Sequence, residues 1–474
     1  MIFFIQLPVN MWKKYRFCTL FLLIAVFPAN VCCQIITAGP VDYAGYLPGL
    51  KPGDTLSLHS GIYTGGLKIK NRNGSSALPI VISGPEKGEP AVFTGKEGRN
   101  TVSIVNASYI VIKNLKMDGK NIPSIDAVKA ENSPGSRVHH ITLENLHITG
   151  HGADQMTCGI SSKCPAWDWV IRKNTIEAAG TGIYLGNSDG SQSFANGVIE
   201  YNLIVNTIGY NMQIKHQNEG TRTVGGMPSK GKTLIRYNVF SKEKNASSGS
   251  DARPNLLVGN FPATGYGSGD LYEIYGNFFY QNPSENLFQG TGTIAFYNNI
   301  CVNHLDGGGI VFQNHNGFSP RNISVFYNTL IIRRGKGIRI SGSDALYRQR
   351  VIGNAVFADT PIYGASEEKD NIGDRYSNAE KYVHCAFAEP GLFDPFPMKE
   401  KLKGTAIAAD IFRDFEYSHL DFNASVRDPQ FRGAYAGEGK NPGWLPVLCV
   451  RPELQMQKEF HGNQPKNPLS LNTI

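Results

Sequence analysis

One stretch of the chain concentrates side chains that can hold or move a proton. It runs Lys215-His-Gln-Asn-Glu-Gly-Thr-Arg222 and so brings together Lys215, His216, Glu219 and Arg222. A lysine amine acts as a base only when its pKa falls towards neutrality, and a neighbouring cation such as Arg222 would lower it. The same cations would attract an anionic ligand. The stretch therefore predicts a site for proton transfer next to a negatively charged group.

A repeat must position these residues. An apolar strand that runs into an asparagine, and then into a second apolar strand, recurs about every thirty residues. Such a period indicates a solenoid, in which the turn asparagine adopts the left-handed αL conformation and its amide bonds its equivalents above and below. Hairpins with asparagine turns, as in a sandwich, are the alternative, which the long spacing disfavours. The repeated asparagines are Asn114, Asn145, Asn174, Asn202, Asn238, Asn277, Asn299, Asn328 and Asn354.

A third strand follows each asparagine, and its alternation sorts inward from outward side chains. Tyr184 and Gln213 point outward, and Lys215 points outward between Gly186 and Gly259, which would open a groove around it. The coil that carries Lys215 and the next one are the longest, and insertions in solenoids cluster on the binding face. The candidate substrate-binding residues are Tyr184, Asn187, Gln213, Glu219, Arg253, Asn260, Gln313 and His315.

The repeat resembles the right-handed parallel β-helix of the pectate-lyase-like superfamily. The segment Pro52-Gly-Asp-Thr-Leu-Ser-Leu-His-Ser-Gly-Ile-Tyr63, followed by Leu78-Pro-Ile-Val-Ile-Ser83, is similar to the N-terminal part of chondroitinase-B and alginate-lyase type enzymes. The resemblance implies an all-β chain, a single right-handed parallel β-helix of about nine to eleven coils with end caps.

The resemblance also implies chemistry: a polysaccharide lyase that cleaves an acidic, uronate-containing polysaccharide by β-elimination. Lys215 would then be the base, and Arg222 or Arg253 the acid or the clamp on the uronate carboxylate. His216, next to Lys215, is the third residue we place in the catalytic set.

Calcium is the cofactor that the resemblance implies, because enzymes of this type hold Ca²⁺ on the uronate. Acidic side chains surround the metal in those enzymes, whereas Gln213 and Gly186 occupy the nearby outward positions here. Calcium stays possible, but we expect no metal site of that kind.

Two other function classes use the same scaffold. A glycoside hydrolase needs paired carboxylates about 5 to 9 Å apart. Gly150-His-Gly152 and Gly337-Ile-Arg339-Ile resemble polygalacturonase motifs, but the acidic elements that precede them in those enzymes are missing. A non-catalytic carbohydrate-binding or surface protein would need only rings for stacking, such as Tyr184 and Phe288.

Composition agrees with this class. With 41% hydrophobic residues, 18% charged residues and 52 glycines, the chain is too apolar for disorder and too rich in glycine for a helix bundle. The formal net charge is +7, of which +3 belongs to the N-terminal leader, and the remaining +4 is compatible with an anionic polysaccharide partner. We predict a monomer and no nucleic-acid partner.

The termini define the domain organisation. Lys13, Lys14 and Arg16 precede a short apolar run, which predicts a signal peptide over residues 1–33 and a secreted or periplasmic protein, with lipid anchoring as the alternative. The run is too short for a transmembrane helix. The β-helix is expected over 34–365, with a short capping helix between Val41 and Leu50. An irregular strap over 366–474 would cap the other end.

Overall fold

A computed structural model describes residues 33–454 of the chain. Over this range the chain winds into a right-handed parallel β-helix, in which successive coils add strands to three parallel sheets. The predicted fold is therefore confirmed. The predicted signal peptide lies outside the described residues apart from Cys33. In the described part of the chain, no helix is long and apolar enough to cross a membrane.

Sheet 1 holds the strand that precedes the asparagine turn of each coil. Within residues 33–454 it has 15 strands. Its main path is Ile35–Ala38, Thr55–Leu58, Ile80–Ser83, Ala107–Lys113, Val138–Glu144, Val170–Arg172, Val198–Glu200, Lys232–Arg236, Leu271–Tyr275, Ile294–Tyr297, Ile323–Phe326, Gln349–Ile352 and Glu367–Lys369, with Ala166–Trp167 and Phe194–Ala195 beside it.

Sheet 2 holds the strand that follows the turn. It has 12 strands in the same described range. They are Gly61–Tyr63, Ala91–Thr94, Leu115–Asp118, His147–Thr149, Thr175–Glu177, Leu203–Val205, Val239–Ser241, Phe278–Tyr280, Ile300–Asn303, Thr329–Ile332, Ala355–Phe357 and Ile372–Asp374.

Sheet 3 holds the third strand of each coil, as the sequence predicts. It has 11 strands among the described residues. They are Leu67–Lys70, Val102–Val105, Val128–Ala130, Cys158–Ser162, Thr181–Leu185, Met212–Ile214, Leu256–Val258, Phe288–Gly290, Ile310–Phe312, Lys336–Ile340 and Thr360–Tyr363. Its inward side chains are buried as the alternation requires; they include Ile183, Leu185, Met212, Ile214, Leu256, Val258, Ile310 and Phe312.

The turn asparagines form the predicted ladder. From Asn174 to Asn371, each amide donates to the side-chain oxygen of the next asparagine at 2.9–3.0 Å. The αL prediction is correct for Asn114 and Asn145, with φ of 57° and 52°, but it is wrong for the later coils, where the residue before the asparagine adopts αL. These residues are Lys173, Tyr201, Tyr237, Gly276, Asn298, Tyr327 and Gly353. The αL residue makes the bend with its side chain outward, so the asparagine that follows it faces inward. Asn174 is accordingly buried, whereas Asn145 is exposed.

Caps close the solenoid. The α-helix Tyr43–Tyr46 and the 3-10 turn Leu47–Gly49 confirm the predicted N-terminal cap. At the other end the strands continue past the predicted boundary at residue 365, to Asp374. Further short 3-10 segments are Gly249–Asp251, Tyr376–Lys381 and Ala409–Phe412.

Residues 376–454 form a strap along the solenoid. Its apolar side chains pack on the outer face of sheet 2, where Phe393 stacks near Phe278, and on that of sheet 1, where Phe412 stacks on Phe326. Among the described residues, neither of these apolar clusters includes a member of sheet 3. The outer face of sheet 3 is therefore the one that the strap leaves open.

Candidate active site on the outer face of sheet 3

Two lysines stand in one outward row of sheet 3. The register pairs Tyr184 with Gln213, and the same register two residues further on aligns Lys163, Gly186 and Lys215 in successive coils. Gly186 has φ +87°, and a Cβ there would lie 3.3 Å from the Cβ of Lys215. Glycine thus keeps the space between the two lysines open.

A cleft of about 360 Å³ lies around this row. Its floor comes from four neighbouring strands of sheet 3, and the loops that enter those strands form one wall. The lining residues are Asp126, Lys129, Gln155, Met156, Cys158, Lys163, Thr181, Tyr184, Ser188, Tyr210, Gln213, Lys215 and Arg253.

Both lysines are partly withdrawn from water. Burial lowers the pKa of Lys163 to about 8, and the ammonium of Lys215 contributes to the same shift. Burial also lowers the pKa of Lys215, while the carboxylate of Asp189 opposes that change. A group with a pKa near 8 is neutral in about one tenth of molecules at pH 7, compared with fewer than about one in a thousand for an ordinary lysine. Lys163 therefore meets the requirement for a general base.

Tyr184 supplies a proton donor next to that amine. The Nζ of Lys163 lies 3.5 Å from the centroid of the Tyr184 ring. Burial raises the pKa of Tyr184 above its usual range, so the phenol keeps its proton at physiological pH. The pair can therefore accept one proton at the amine and donate another from the hydroxyl.

Arg253 borders the other side of the cleft, with its guanidinium 5.9 Å from the centroid of the Tyr210 ring. Its Nη1 donates to the carbonyls of Ser250 and Ala252, both at 2.8 Å. The carbonyl of Arg253 in turn accepts a hydrogen bond of 2.7 Å from Nζ of Lys242. Lys242 is fully buried, and burial lowers its pKa to about 7. This network fixes the loop that presents Arg253.

Asp126 is the one carboxylate among the described residues that line the cleft. It is buried, and it accepts hydrogen bonds from the backbone N of Cys158 at 2.9 Å and from Oγ of Ser161 at 2.7 Å. The Nζ of Lys129 lies 3.2 Å from its second oxygen. Asp126 is thus already occupied as an acceptor and shapes the floor of the cleft.

These residues do not fit a calcium ion. Calcium takes six to eight oxygen ligands, mainly carboxylates and carbonyls. The cleft instead carries Lys129, Lys163, Lys215 and Arg253, and its carboxylate Asp126 is committed to protein donors. In the described part of the chain no group of three or more His, Cys, Asp or Glu side chains is arranged to hold a metal ion.

Four of the predicted site residues line the cleft: Tyr184, Gln213, Lys215 and Arg253. Asn187 lies beside it, in the loop that follows the Thr181–Leu185 strand, and donates to Oγ of Ser191 at 3.2 Å. The structure therefore brings these five residues together around one outward face.

Three more predicted residues lie on the same side but further along the solenoid. Nδ1 of His216 lies 3.1 Å from the amide nitrogen of Asn316. His315 sits in that same turn, and burial lowers its pKa, with Lys215 adding to the shift. Oε1 of Gln313 accepts a hydrogen bond of 2.6 Å from Arg339. They continue the polar face beyond the cleft.

Two predicted substrate contacts are not supported. Asn260 is only 3% exposed and, unlike the equally buried Gln213, does not line the cleft. Glu219 is exposed but accepts from the backbone and hydroxyl of Thr264, both at 3.2 Å, which draws it towards another loop. Glu219 thus links two loops through its side chain, and Asn260 does so through its backbone carbonyl, which accepts from the backbone N of Gln217 at 2.9 Å.

Arg222 requires a correction. The sequence places it beside Lys215, but its guanidinium is buried, forms an ion pair with Asp270 and donates to Oε1 of Gln217 at 2.8 and 3.0 Å. The guanidinium is therefore fully paired with groups inside the protein. Arg222 anchors the long loop and is neither an acid nor a clamp for substrate.

Sequence reasoning missed Lys163, Asp126, Lys129, Tyr210 and Gln155. One signal was available for Lys163, because it follows the strand Gly159-Ile-Ser-Ser162 just as Lys215 follows Met212–Ile214. Extending the outward row by two coils would have found it. Lys129 was also within reach, because it lies in the same outward row as Tyr184 and Gln213. Asp126, Tyr210 and Gln155 lie on loops, which carry no such alignment.

Comparison with known proteins supports the fold. No protein-family model and no curated protein sequence matches this chain. Among solved structures, a variant of the PL6 family alginate lyase AlyGC is similar at a TM-score of 0.51 with 12% identity, over 90% of this chain and 59% of that chain. The chain has the β-helix fold of that lyase. It spans only 59% of the lyase's length.

Two further structures are similar at lower scores. An alginate lyase from Paenibacillus sp. str. FPU-7 has a TM-score of 0.40 and 16% identity, over 72% of this chain and 99% of that one. A GH136 lacto-N-biosidase from Eubacterium ramulus has a TM-score of 0.49 and 13% identity, over 72% of this chain and 67% of that one. The predicted parallel β-helix fold is confirmed by the similarity to AlyGC.

Proposed function

We propose that the cleft around Lys163 and Lys215 is the active site of a polysaccharide lyase that cleaves an acidic, uronate-containing polysaccharide by β-elimination. The observation that carries this proposal is the pair of half-buried lysines on either side of Gly186, with the neutral phenol of Tyr184 against one of them. The arrangement provides a base, a cation and an acid within one cleft.

The residues divide the reaction between them. Neutral Lys163 takes the proton from the carbon next to the uronate carboxylate, and Lys215 compensates the charge of that carboxylate. The freed electron pair forms the double bond of the unsaturated uronate, and the bond from the neighbouring carbon to the bridging oxygen breaks. Tyr184 donates its proton to that leaving oxygen.

This assignment differs from the sequence-based one, in which Lys215 is the base. Lys163 is the better candidate because burial brings its pKa to about 8, although the carboxylate of Asp126 opposes that shift. Arg253 remains a candidate for binding the substrate from the opposite wall of the cleft.

A hydrolase is less well supported by the same cleft. Glycosidases work with two carboxyl groups across the bond that breaks. Among the described residues that line the cleft, Asp126 is the one carboxylate, and Cys158, Ser161 and Lys129 occupy it.

The test exposes the protein to alginate, pectate and glycosaminoglycans and follows both ultraviolet absorbance and new reducing ends. The proposal predicts that absorbance from unsaturated uronate rises with at least one of them. Lys163→Met should lower kcat by about 100-fold or more, since a general base contributes that much. Lys116→Met, which removes a half-buried outward lysine from sheet 2, should leave kcat intact.

Two results would contradict the proposal. New reducing ends without absorbance would indicate a hydrolase, and retention by a polysaccharide gel without either signal would indicate a binding protein. Export from the cytoplasm, an anionic polymer as partner and a monomeric state belong to the same proposal. Recovery of the protein from culture medium or periplasm checks the export, and the mass of the purified protein in solution checks the monomeric state. The polysaccharide assays above check the anionic partner.

A further inference from the structure

A second concavity lies on the face of sheet 3, towards its C-terminal end. Its volume is about 340 Å³, and Arg334, Lys336 and Arg339 line it together with one carboxylate, Asp306. Among the described residues that line this depression, three cations therefore stand with a single acidic side chain. None of these residues takes part in the proposed elimination.

Within residues 33–454, Arg334 is the one of these three cations that forms an ion pair with a carboxylate. Nε of Arg334 pairs with Asp306 at 2.6 Å, and both side chains are exposed. Nη2 of Arg339 donates to the neutral amide oxygen of Gln313 at 2.6 Å. Nζ of Lys336 lies 4.4 Å from the centroid of an exposed tyrosine ring. Such a depression attracts an anion.

The depression is aligned with the cleft. The register of sheet 3 leads from Gln213, through the three strands between, to Arg339 in one outward row. The Lys336–Ile340 strand is four strands from Met212–Ile214 in the sheet order, which corresponds to about 19 Å at the usual spacing. His315 and Gln313 lie on the stretch between, and burial lowers the pKa of His315. Neutral polar side chains there suit sugar hydroxyls.

We propose that Arg334, Lys336 and Arg339 form a distal subsite for a carboxylate of the same polysaccharide chain whose cleavage takes place between Lys163 and Lys215. This inference rests on the proposed function and deepens it. The substrate is then a polymer that lies along sheet 3 and reaches both positions at once, and the distal contact adds affinity by holding the chain in place.

The test measures the dissociation constant for alginate, pectate and chondroitin sulfate by affinity electrophoresis, in a Lys163→Met background so that the polymer is not consumed. Lys336→Ala combined with Arg339→Ala should raise it about tenfold for the polymer that binds, because two charged contacts are lost. Asp306→Asn, which frees Arg334, should lower it severalfold. The charge-conserving pair Lys336→Arg and Arg339→Lys should retain most of the affinity.

A matched control removes the same charges elsewhere. Arg348 and Lys369 are an exposed arginine and lysine at the C-terminal end of sheet 1, and their double alanine variant should bind within twofold of the unchanged protein. Equal binding by the two double variants would overturn the subsite. If the subsite variant binds weakly but the intact protein yields no unsaturated uronate, the subsite stands and the lyase proposal fails. If the intact protein performs the elimination and the subsite variant binds as tightly as the control, the lyase proposal stands and the subsite fails.

Discussion

Lys163 and Lys215 are the same residue type in the same row, and their surroundings give them different properties. Burial brings the pKa of Lys163 to about 8, from an ordinary value of 10.5. Below pH 8 most of its amines carry a proton and cannot act as a base. We therefore expect kcat to rise with pH through about 8 and to level off above it. Initial rates at saturating polysaccharide between pH 6 and pH 9.5 measure this rise of kcat with pH.

Replacing each lysine by arginine distinguishes the lysine that acts as the base from the lysine that acts only as a cation. Arginine keeps the positive charge but cannot lose its proton in this pH range. Lys163→Arg should therefore lower kcat by about 100-fold and abolish the rise near pH 8. Lys215→Arg keeps the cation that faces the uronate and should cost less than about tenfold. The reverse order of effects would return the role of base to Lys215.

At the scale of the element, the absence of a side chain at Gly186 keeps the cleft open between neighbouring coils. Gly186 has φ +87°, and a methyl group there would stand 3.2 Å from the carbonyl of Gln192 and 3.3 Å from the Cβ of Lys215. Gly186→Ala should therefore raise KM and lower kcat, besides a loss of about 1 kcal/mol for the left-handed backbone. Gly88→Ala is the control: φ is +83°, but nothing lies within 4 Å of the new atom.

The comparison with Gly88→Ala separates the effect of filling the cleft from the effect of straining the backbone. Both variants should lose similar stability in urea unfolding, and only Gly186→Ala should lose activity. Equal activity in the two would mean that the row from Lys163 to Lys215 does not bind substrate.

The strands were predictable because their cause is periodic. Every coil repeats the same apolar alternation and the same asparagine, so sheet 3 and its outward Tyr184, Gln213 and Lys215 follow from the sequence alone. The loops carry no period. Arg222 was misassigned because its partner, Asp270, is 48 residues away, in the next coil, and only the folded loop brings the two together. Lys163 was within reach of the pattern, whereas the wall built by Tyr210 and Gln155 was not.

At the scale of the whole molecule, the strap covers the outer faces of sheets 1 and 2, and the cleft lies on the outer face of sheet 3. Sheets 1 and 2 carry outward aromatic side chains in their later coils, such as Phe326 and Phe278, and residues 376–454 cover them. The strap leaves the outer face of sheet 3 uncovered, where one outward row runs Gln213, Leu257, Gln289, Val311 and Arg339. Leu257, Gln289 and Val311 are buried, so a polymer along this face would contact the turn residues that follow the strands, such as His315. A polymer longer than the cleft therefore has one face on which to lie.

A buried arginine locks the strap in place. Arg451 is 2% exposed; its Nη1 donates to the carbonyl of Gly276 at 2.6 Å, its Nη2 donates to the carbonyl of Phe422, and its guanidinium lies 4.0 Å from the centroid of the Phe422 ring. Arg451→Ala leaves two buried carbonyls without these donors and opens a void, so we expect the strap to lose about 3 kcal/mol or more of local stability. Arg413→Ala, at an exposed position of the strap, should lose almost none.

The measurement is limited proteolysis followed by an activity assay. Cleavage within residues 376–454 should accelerate in Arg451→Ala and not in Arg413→Ala, since proteases act on locally opened segments. The strap packs on sheets 1 and 2, so the nicked protein should retain its activity on polysaccharide. Loss of activity in step with the nick would mean that the strap, and not sheet 3 alone, holds the cleft in its working shape.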